Sequence, residues 1–171
     1  MKTLLFAPIF LALLITNLSA QEMADKPIVS KATTQKYAPM SGVPDCATLA
    51  VLRGDPSQGP SIIEMKLTTG CIIPWHWHNT GEGVTPLSGL FEVSMKDDKP
   101  VIIANGDYIY LPAKHIHQAK CSGSKPCAIM LAADAAFDIH YVDKSGAEIP
   151  ADKAIAEAEK LMTKQGAKPS H

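Results

Sequence analysis

The sequence predicts an all-β protein, one domain folded as a small barrel or sandwich of short strands. Three observations carry that expectation. Thirteen prolines and eleven glycines punctuate a chain of 171 residues, which suits many turns better than long helices. Across about 100 residues, roughly ten short runs rich in β-branched or aromatic residues are separated by turn-prone stretches, GDPSQGP and KDDKP being the clearest. In LFEVSMK the apolar Phe91, Val93 and Met95 alternate with Glu92 and Ser94, the period of a strand with one buried face.

The elements follow in chain order. Residues 1–20 carry Lys2, an apolar run from Leu4 to Ile15 and a polar stretch ending at Ala20. This reads as a secretory signal peptide, since about a dozen apolar residues are too few to cross a bilayer as a helix. Cleavage is expected after Ala20. With no twin arginine before the run, export by the general secretory route to a periplasmic or secreted location is expected, with no membrane attachment afterwards. Residues 21–45 have little periodicity and read as an extended N-terminal arm. The strand runs occupy 46–145: CATLAVLRG, SIIEMKLTTG, CIIPWHWH, VTPLSG, LFEVSMK, PVIIANG, DYIYLPA, IHQAKC, CAIMLAAD and FDIHYVD. Ile63, Met65, Phe91 and Met130 are candidates for a mostly apolar interior, which suits a small, partly apolar ligand. Residues 150–167 break the pattern with helix formers. Ile155, Ala158, Leu161 and Met162 share a face, Pro150 sits just before the start and Gly166 near the stop. A stripe that narrow suits a helix docked on the barrel.

An exported chain folds where disulfides persist. Cys121 and Cys127 flank the turn-like SGSKP and form the natural local pair, leaving Cys46 with Cys71; four cysteines allow three connectivities in all. No C-x-x-C spacing points to a thiol-ligated zinc or a redox pair. Sixteen basic residues against seventeen acidic ones give a net charge of -1, so no basic surface is set to neutralise phosphates and nucleic acid is not an expected partner. Arg53 is the only arginine and no Gly-rich phosphate loop appears, which disfavours phosphorylated substrates.

The chemistry concentrates in GCIIPWHWHNTGEG, residues 70–83. Residues two apart on a strand project to one face, so His76 and His78 point together while Trp75 and Trp77 face away. Glu82 follows the turn-prone NTG, which brings its carboxylate back toward the imidazoles. His117 lies on the strand after YLPAKHIH. Three imidazoles and a carboxylate suit one borderline divalent metal such as zinc, copper, manganese, iron or nickel. His115, near the barrel mouth, and His140, which could line the interior, are read as structural histidines before catalytic ones. Tyr108, Tyr110 and Tyr141 are read as packing residues.

These residues also carry a family resemblance. GCIIPWHWHNTGEGVTPLSG matches the first cupin motif through Gly70, His76, His78, Glu82 and Gly89, and GDYIYLPAKHIH resembles the second through Gly106, Pro112 and His117. Two departures concern turn geometry: Lys114 stands where the second motif has glycine, and the asparagine after its histidine is missing. The resemblance covers about residues 45–142 and is nearest to exported single-domain bacterial cupins with PWHWH and FDIHYVD segments. It implies a jelly-roll, or double-stranded β-helix, barrel of antiparallel strands, one metal on His76, His78, Glu82 and His117, and a homodimer.

Two functions follow as expectations. One is a metal-dependent oxygenase or isomerase of a small organic molecule, with Glu82 as general base and two positions of an octahedron open for substrate and dioxygen or water. The other is a non-enzymatic metal- or small-molecule-binding protein, in which zinc held by all four side chains leaves no open position. Outside the cytoplasm the affinity order favours copper and zinc over iron and manganese, which weighs against iron-dependent oxygen chemistry.

Overall fold

The computed structural model describes residues 27–165. The expected signal segment, the first residues of the arm and the chain after Gln165 lie outside that range. The described chain forms β1 (Ala47–Gly54), β2 (Ser61–Leu67), β3 (Ile72–Trp77), β4 (Glu82–Ser88), β5 (Phe91–Met95), β6 (Val101–Ile103), β7 (Ile109–Leu111), β8 (His117–Cys121), β9 (Cys127–Ala133), β10 (His140–Tyr141) and α1 (Ala151–Lys164). Two five-stranded sheets result, one in the order β1-β2-β9-β4-β7 and the other β10-β3-β8-β5-β6. Every strand pairing in them is antiparallel. Their inner faces close one core, to which both sheets contribute, Ile63, Met65, Val84 and Leu131 from the first and Ile73, Phe91, Val93 and Ala119 from the second. The fold is a jelly-roll barrel, the form the cupin resemblance implies for the barrel or sandwich that the alternation and turn density predict.

The expected interior is corrected at one position. Ile63, Met65 and Phe91 are buried, whereas Met130 is 36% exposed. Across β2 and β9, Ile63 pairs with Leu131 and Met65 with Ile129, while Met130 pairs with Glu64 on the outer face. In the run CAIMLAA nearly every residue is apolar, so its sequence alone does not mark which alternate set turns inward.

Helix α1 also seats differently from its expected stripe. Ala154, Ala158 and Met162 are buried, but Leu161 is 48% exposed. The spacing of four aligns the two alanines with Met162 on one face, and Leu161 lies about 100° around the axis. Small alanines let the helix approach closely, and Met162 then reaches the Cys46–Cys71 disulfide, its sulfur 3.8 Å from Cys46 Sγ and 3.3 Å from the Ile72 amide nitrogen. The second disulfide joins Cys121 to Cys127. Both pairs suit an oxidising compartment. Among the described residues no helix is long and apolar enough to cross a membrane.

Residues of the arm make a single bridge, Ala38 to Leu49. Close behind it Gly42 accepts a hydrogen bond from the Tyr141 hydroxyl at 2.8 Å, which ties the arm to the last strand of the opposite sheet. Three turn glycines, Gly70, Gly89 and Gly106, all adopt positive φ, and Lys114 does so too at +66°. A side chain there is strained. Its amide donates to the His78 carbonyl at 2.8 Å and its ammonium lies 4.0 Å from the Trp77 ring centroid, contacts that offset part of that strain.

Candidate metal centre

The four polar side chains meet where the two sheets face each other. His76 comes from β3, His117 from the start of β8, Glu82 from the start of β4, and His78 from the crossing between β3 and β4. Pro74 has no N–H to give to the ladder, and the register of β3 against β8 shifts between Ile73 and His76. That shift sets His76 directly opposite His117. His78 and Glu82 are joined by the Asn79–Gly81 turn, which carries the chain from one sheet to the other. All four residues are buried, none more than 4% exposed.

Each imidazole is fixed through its Nδ1 atom. His76 Nδ1 lies 2.6 Å from the Pro74 carbonyl and His117 Nδ1 lies 2.9 Å from the His115 carbonyl, while His78 Nδ1 contacts the Asp138 carbonyl. A carbonyl only accepts, so each Nδ1 carries the proton and each neutral ring turns a bare Nε2 lone pair inward. Glu82 Oε1 stands 3.0 Å from His117 Nε2 and 3.5 Å from His78 Nε2. The second approach is no hydrogen bond, and His78 Nε2 is buried without a hydrogen-bond partner. One ligand atom from each of His76, His78, Glu82 and His117 lies within 4.8 Å of the others. The donor chemistry and the orphaned nitrogen both fit a divalent transition metal, and the four side chains together can hold such an ion.

The electrostatics are those of a dense buried cluster. Burial, reinforced by His117 and His78, holds the His76 imidazole well below its ordinary value, so it stays neutral. Burial alone would raise the Glu82 carboxyl, but His117 and His78 outweigh it and keep the group far below the usual carboxylate range. Burial likewise opposes charge on His78, yet Glu82 and the Asp138 carbonyl raise it above its ordinary value. The carboxylate is therefore ionised at neutral pH, as metal ligation requires.

Other histidines stand apart. His115 is half-buried and contributes its carbonyl to His117, not its ring. His140 is corrected from a candidate for the interior: it pairs with Trp77 across β10 and β3 and stacks on that indole at 3.9 Å, outside the barrel. Period 2 then turns the next residue, Tyr141, inward, where it is 2% exposed. Tyr108 and Tyr110 lie on the outer face over Gly83 and Gly81, and the Tyr110 hydroxyl donates to Asp134 at 3.0 Å.

Two contributors escape a reading of the sequence. Asp138 orients His78 with its carbonyl and accepts from the Asn79 amide at 2.8 Å through Oδ1, clamping the turn between His78 and Glu82. Phe137 packs on the His78 ring with centroids 4.4 Å apart. Both precede the short β10 in the segment FDIHYVD, where polar and aromatic residues cluster in a loop, the only signal they give.

The comparisons with known proteins concern this same region. A family model described as a cupin domain matches residues 63–133. Among solved structures the chain is similar to the polyketide cyclase RemF from Streptomyces resistomycificus, at 16% identity and TM-score 0.59 over 67% of this chain and 84% of that one. It is similar also to an RmlC-like cupin from Shewanella frigidimarina, at 15% identity and TM-score 0.53 over 64% and 91%. A third likeness is to the DMSP lyase DddQ from Ruegeria pomeroyi, at 18% identity and TM-score 0.51 over 75% and 74%. No curated protein matches the sequence. At such identities these likenesses concern the fold alone.

Proposed function

We propose, from the cupin-domain match over residues 63–133 and the jelly-roll fold, that the chain is an exported metalloprotein of cupin type that holds one divalent transition metal on His76, His78, Glu82 and His117 and acts on a small organic molecule as an oxygenase or isomerase. The observation that carries this reading is the common arrangement of the three imidazoles. Each spends Nδ1 on a main-chain carbonyl, which leaves three Nε2 atoms and one carboxylate aimed at a single buried point. A purely structural cluster of that kind would leave a charge and an unpaired nitrogen buried, at a cost that ion binding removes. Bound there, the metal supplies Lewis acidity or electron transfer.

The chain's own residues supply position and exclusion. Pro74, His115 and Asp138 orient the rings. The walls are apolar, and among the described residues Glu82 is the only carboxylate lining the cavity, the group able to accept a proton from a bound molecule. Enzymes among the similar structures, a cyclase and a lyase by name, support reaction chemistry on this fold. Export is supported by the apolar N-terminal run and by the two disulfides. A homodimer is proposed on the family resemblance.

The second reading, a non-enzymatic binder, is favoured by the near-complete burial of all four side chains, which suits a closed four-coordinate zinc. Metal analysis of protein purified from its native compartment, with absorption spectra after cobalt replacement, separates the two. Five- or six-coordinate cobalt that changes its spectrum with added ligand supports the enzyme. Closed tetrahedral cobalt indifferent to every ligand supports the binder.

A further inference from the structure

The cavity beside the candidate metal centre has an unusual wall. It holds about 40 Å³ that water can reach, and its lining includes Met65, Val84, Phe91, Leu131, Phe137 and Ile139. Among the described residues the only polar side chains facing it are His76, His78, Glu82 and His117 themselves. No lysine, arginine, serine, threonine, asparagine or glutamine lines it. The carbonyls of Pro74, His115 and Asp138, which orient the three rings, are already engaged by imidazole Nδ1 atoms. A ligand in this space therefore finds one place to make a polar contact, and that place is the ion.

We propose that the ligand of this site is a small molecule with one metal-coordinating donor group on an otherwise uncharged, apolar body, and that sugars, amino acids and other compounds with a second charged or hydrogen-bonding group are rejected. This rests on the metal reading of the site. Two physical arguments set the class. A charge buried against Leu131, Phe91 or Met65 loses its water and gains no partner, a penalty far above that of an added methylene, while each unpartnered hydroxyl adds a smaller penalty and several together exclude a sugar. The limited volume beside the four side chains leaves room for a few non-hydrogen atoms around the donor, and the part-exposed residues of the lining, Phe137 and Ile139, again offer only apolar surface to the rest of a larger molecule. Recognition by shape and one coordination bond follows, without the hydrogen-bonding groups that usually fix orientation.

The test uses the full chain loaded with cobalt, whose visible spectrum reports a new ligand at the ion independently of any activity. The probes are 4-methylpyrazole and 4-(aminomethyl)pyrazole, which share the donor ring and differ in a tail that is apolar in one and an ammonium in the other. The ammonium cannot itself coordinate. Spectral titration is expected to give binding of 4-methylpyrazole and at least thirtyfold weaker binding of the amine. A difference below tenfold, or no spectral change with either probe, overturns the inference. Cobalt content is measured first: a chain that takes up no cobalt removes the metal reading itself, whereas a loaded chain that binds both probes alike removes only the ligand class.

Discussion

Replacing Glu82 by Gln keeps the side-chain volume and removes the one negative charge among three imidazoles. In the metal-free protein the carboxylate lies 3.0 Å from His117 Nε2 and 3.5 Å from His78 Nε2. Where either imidazole is protonated its Nε2–H donates to this carboxylate, a contact worth about 1.5–3 kcal/mol that the variant loses in the absence of metal. The larger effect is on ion binding. An ion present at a thousandfold its dissociation constant stabilises the native state by about 4 kcal/mol, and at about 3–5 °C per kcal/mol for a domain of this size the wild-type melting temperature rises by about 12–20 °C. Loss of a partner outside the ligand shell costs up to about 100-fold in affinity, so loss of a ligand should cost at least that. At the same ion concentration the variant is then stabilised by only about 1.4 kcal/mol, and its melting temperature rises by about 4–7 °C. Circular dichroism melts with excess zinc and with chelator measure both shifts. An equal zinc-induced rise in wild type and variant would refute Glu82 as a ligand.

Three further outcomes are expected. Gly89 has φ of +80°, and an added Cβ would lie 2.8 Å from the Pro126 carbonyl oxygen and 2.9 Å from Cys127 Sγ; Gly89→Ala should cost about 2–4 kcal/mol in urea unfolding, from backbone strain plus overpacking. The Cys46–Cys71 bridge closes a loop with a sequence separation of 25 against 6 for Cys121–Cys127, so replacing the first pair by serine should lower unfolding free energy by about 3–4 kcal/mol and the second pair by less. Metal-free protein should be most stable near pH 6.5, the ordinary imidazole value. His76, held below that value by burial and by His117 and His78, contributes stability that is lost as pH falls below it, because the unfolded chain binds the proton first. His78, raised above it by Glu82 against the opposing effect of burial, contributes stability that is lost as pH rises through its folded value. Urea midpoints across pH 5–9 test both signs, and a monotonic profile would contradict them.

Strand identity was legible because turn residues bracket each apolar run: nine of the ten runs contain their strand whole, and β4 begins two residues before the run VTPLSG, at Glu82. The cluster of His76, His78, Glu82 and His117 was legible because period 2 places His76 and His78 on one side and the NTG turn returns Glu82. Facing was harder. Met130 sits in a run with no polar marker, and Leu161 differs from its buried neighbour Met162 by one step around a helix. His140 and Tyr141 exchange roles for the same reason: in a two-residue strand either parity is consistent with the sequence, and only pairing with Trp77 and His76 decides it. Asp138 acts through its main-chain carbonyl, which no side-chain pattern encodes.

The account turns on four side chains sharing one ion. Elemental analysis of chelator-stripped protein after reloading and gel filtration should give one divalent metal per chain for wild type and none for the variant in which His76, His78, Glu82 and His117 are all alanine, with both proteins folded by circular dichroism. One metal per chain retained by the folded quadruple variant would contradict the account.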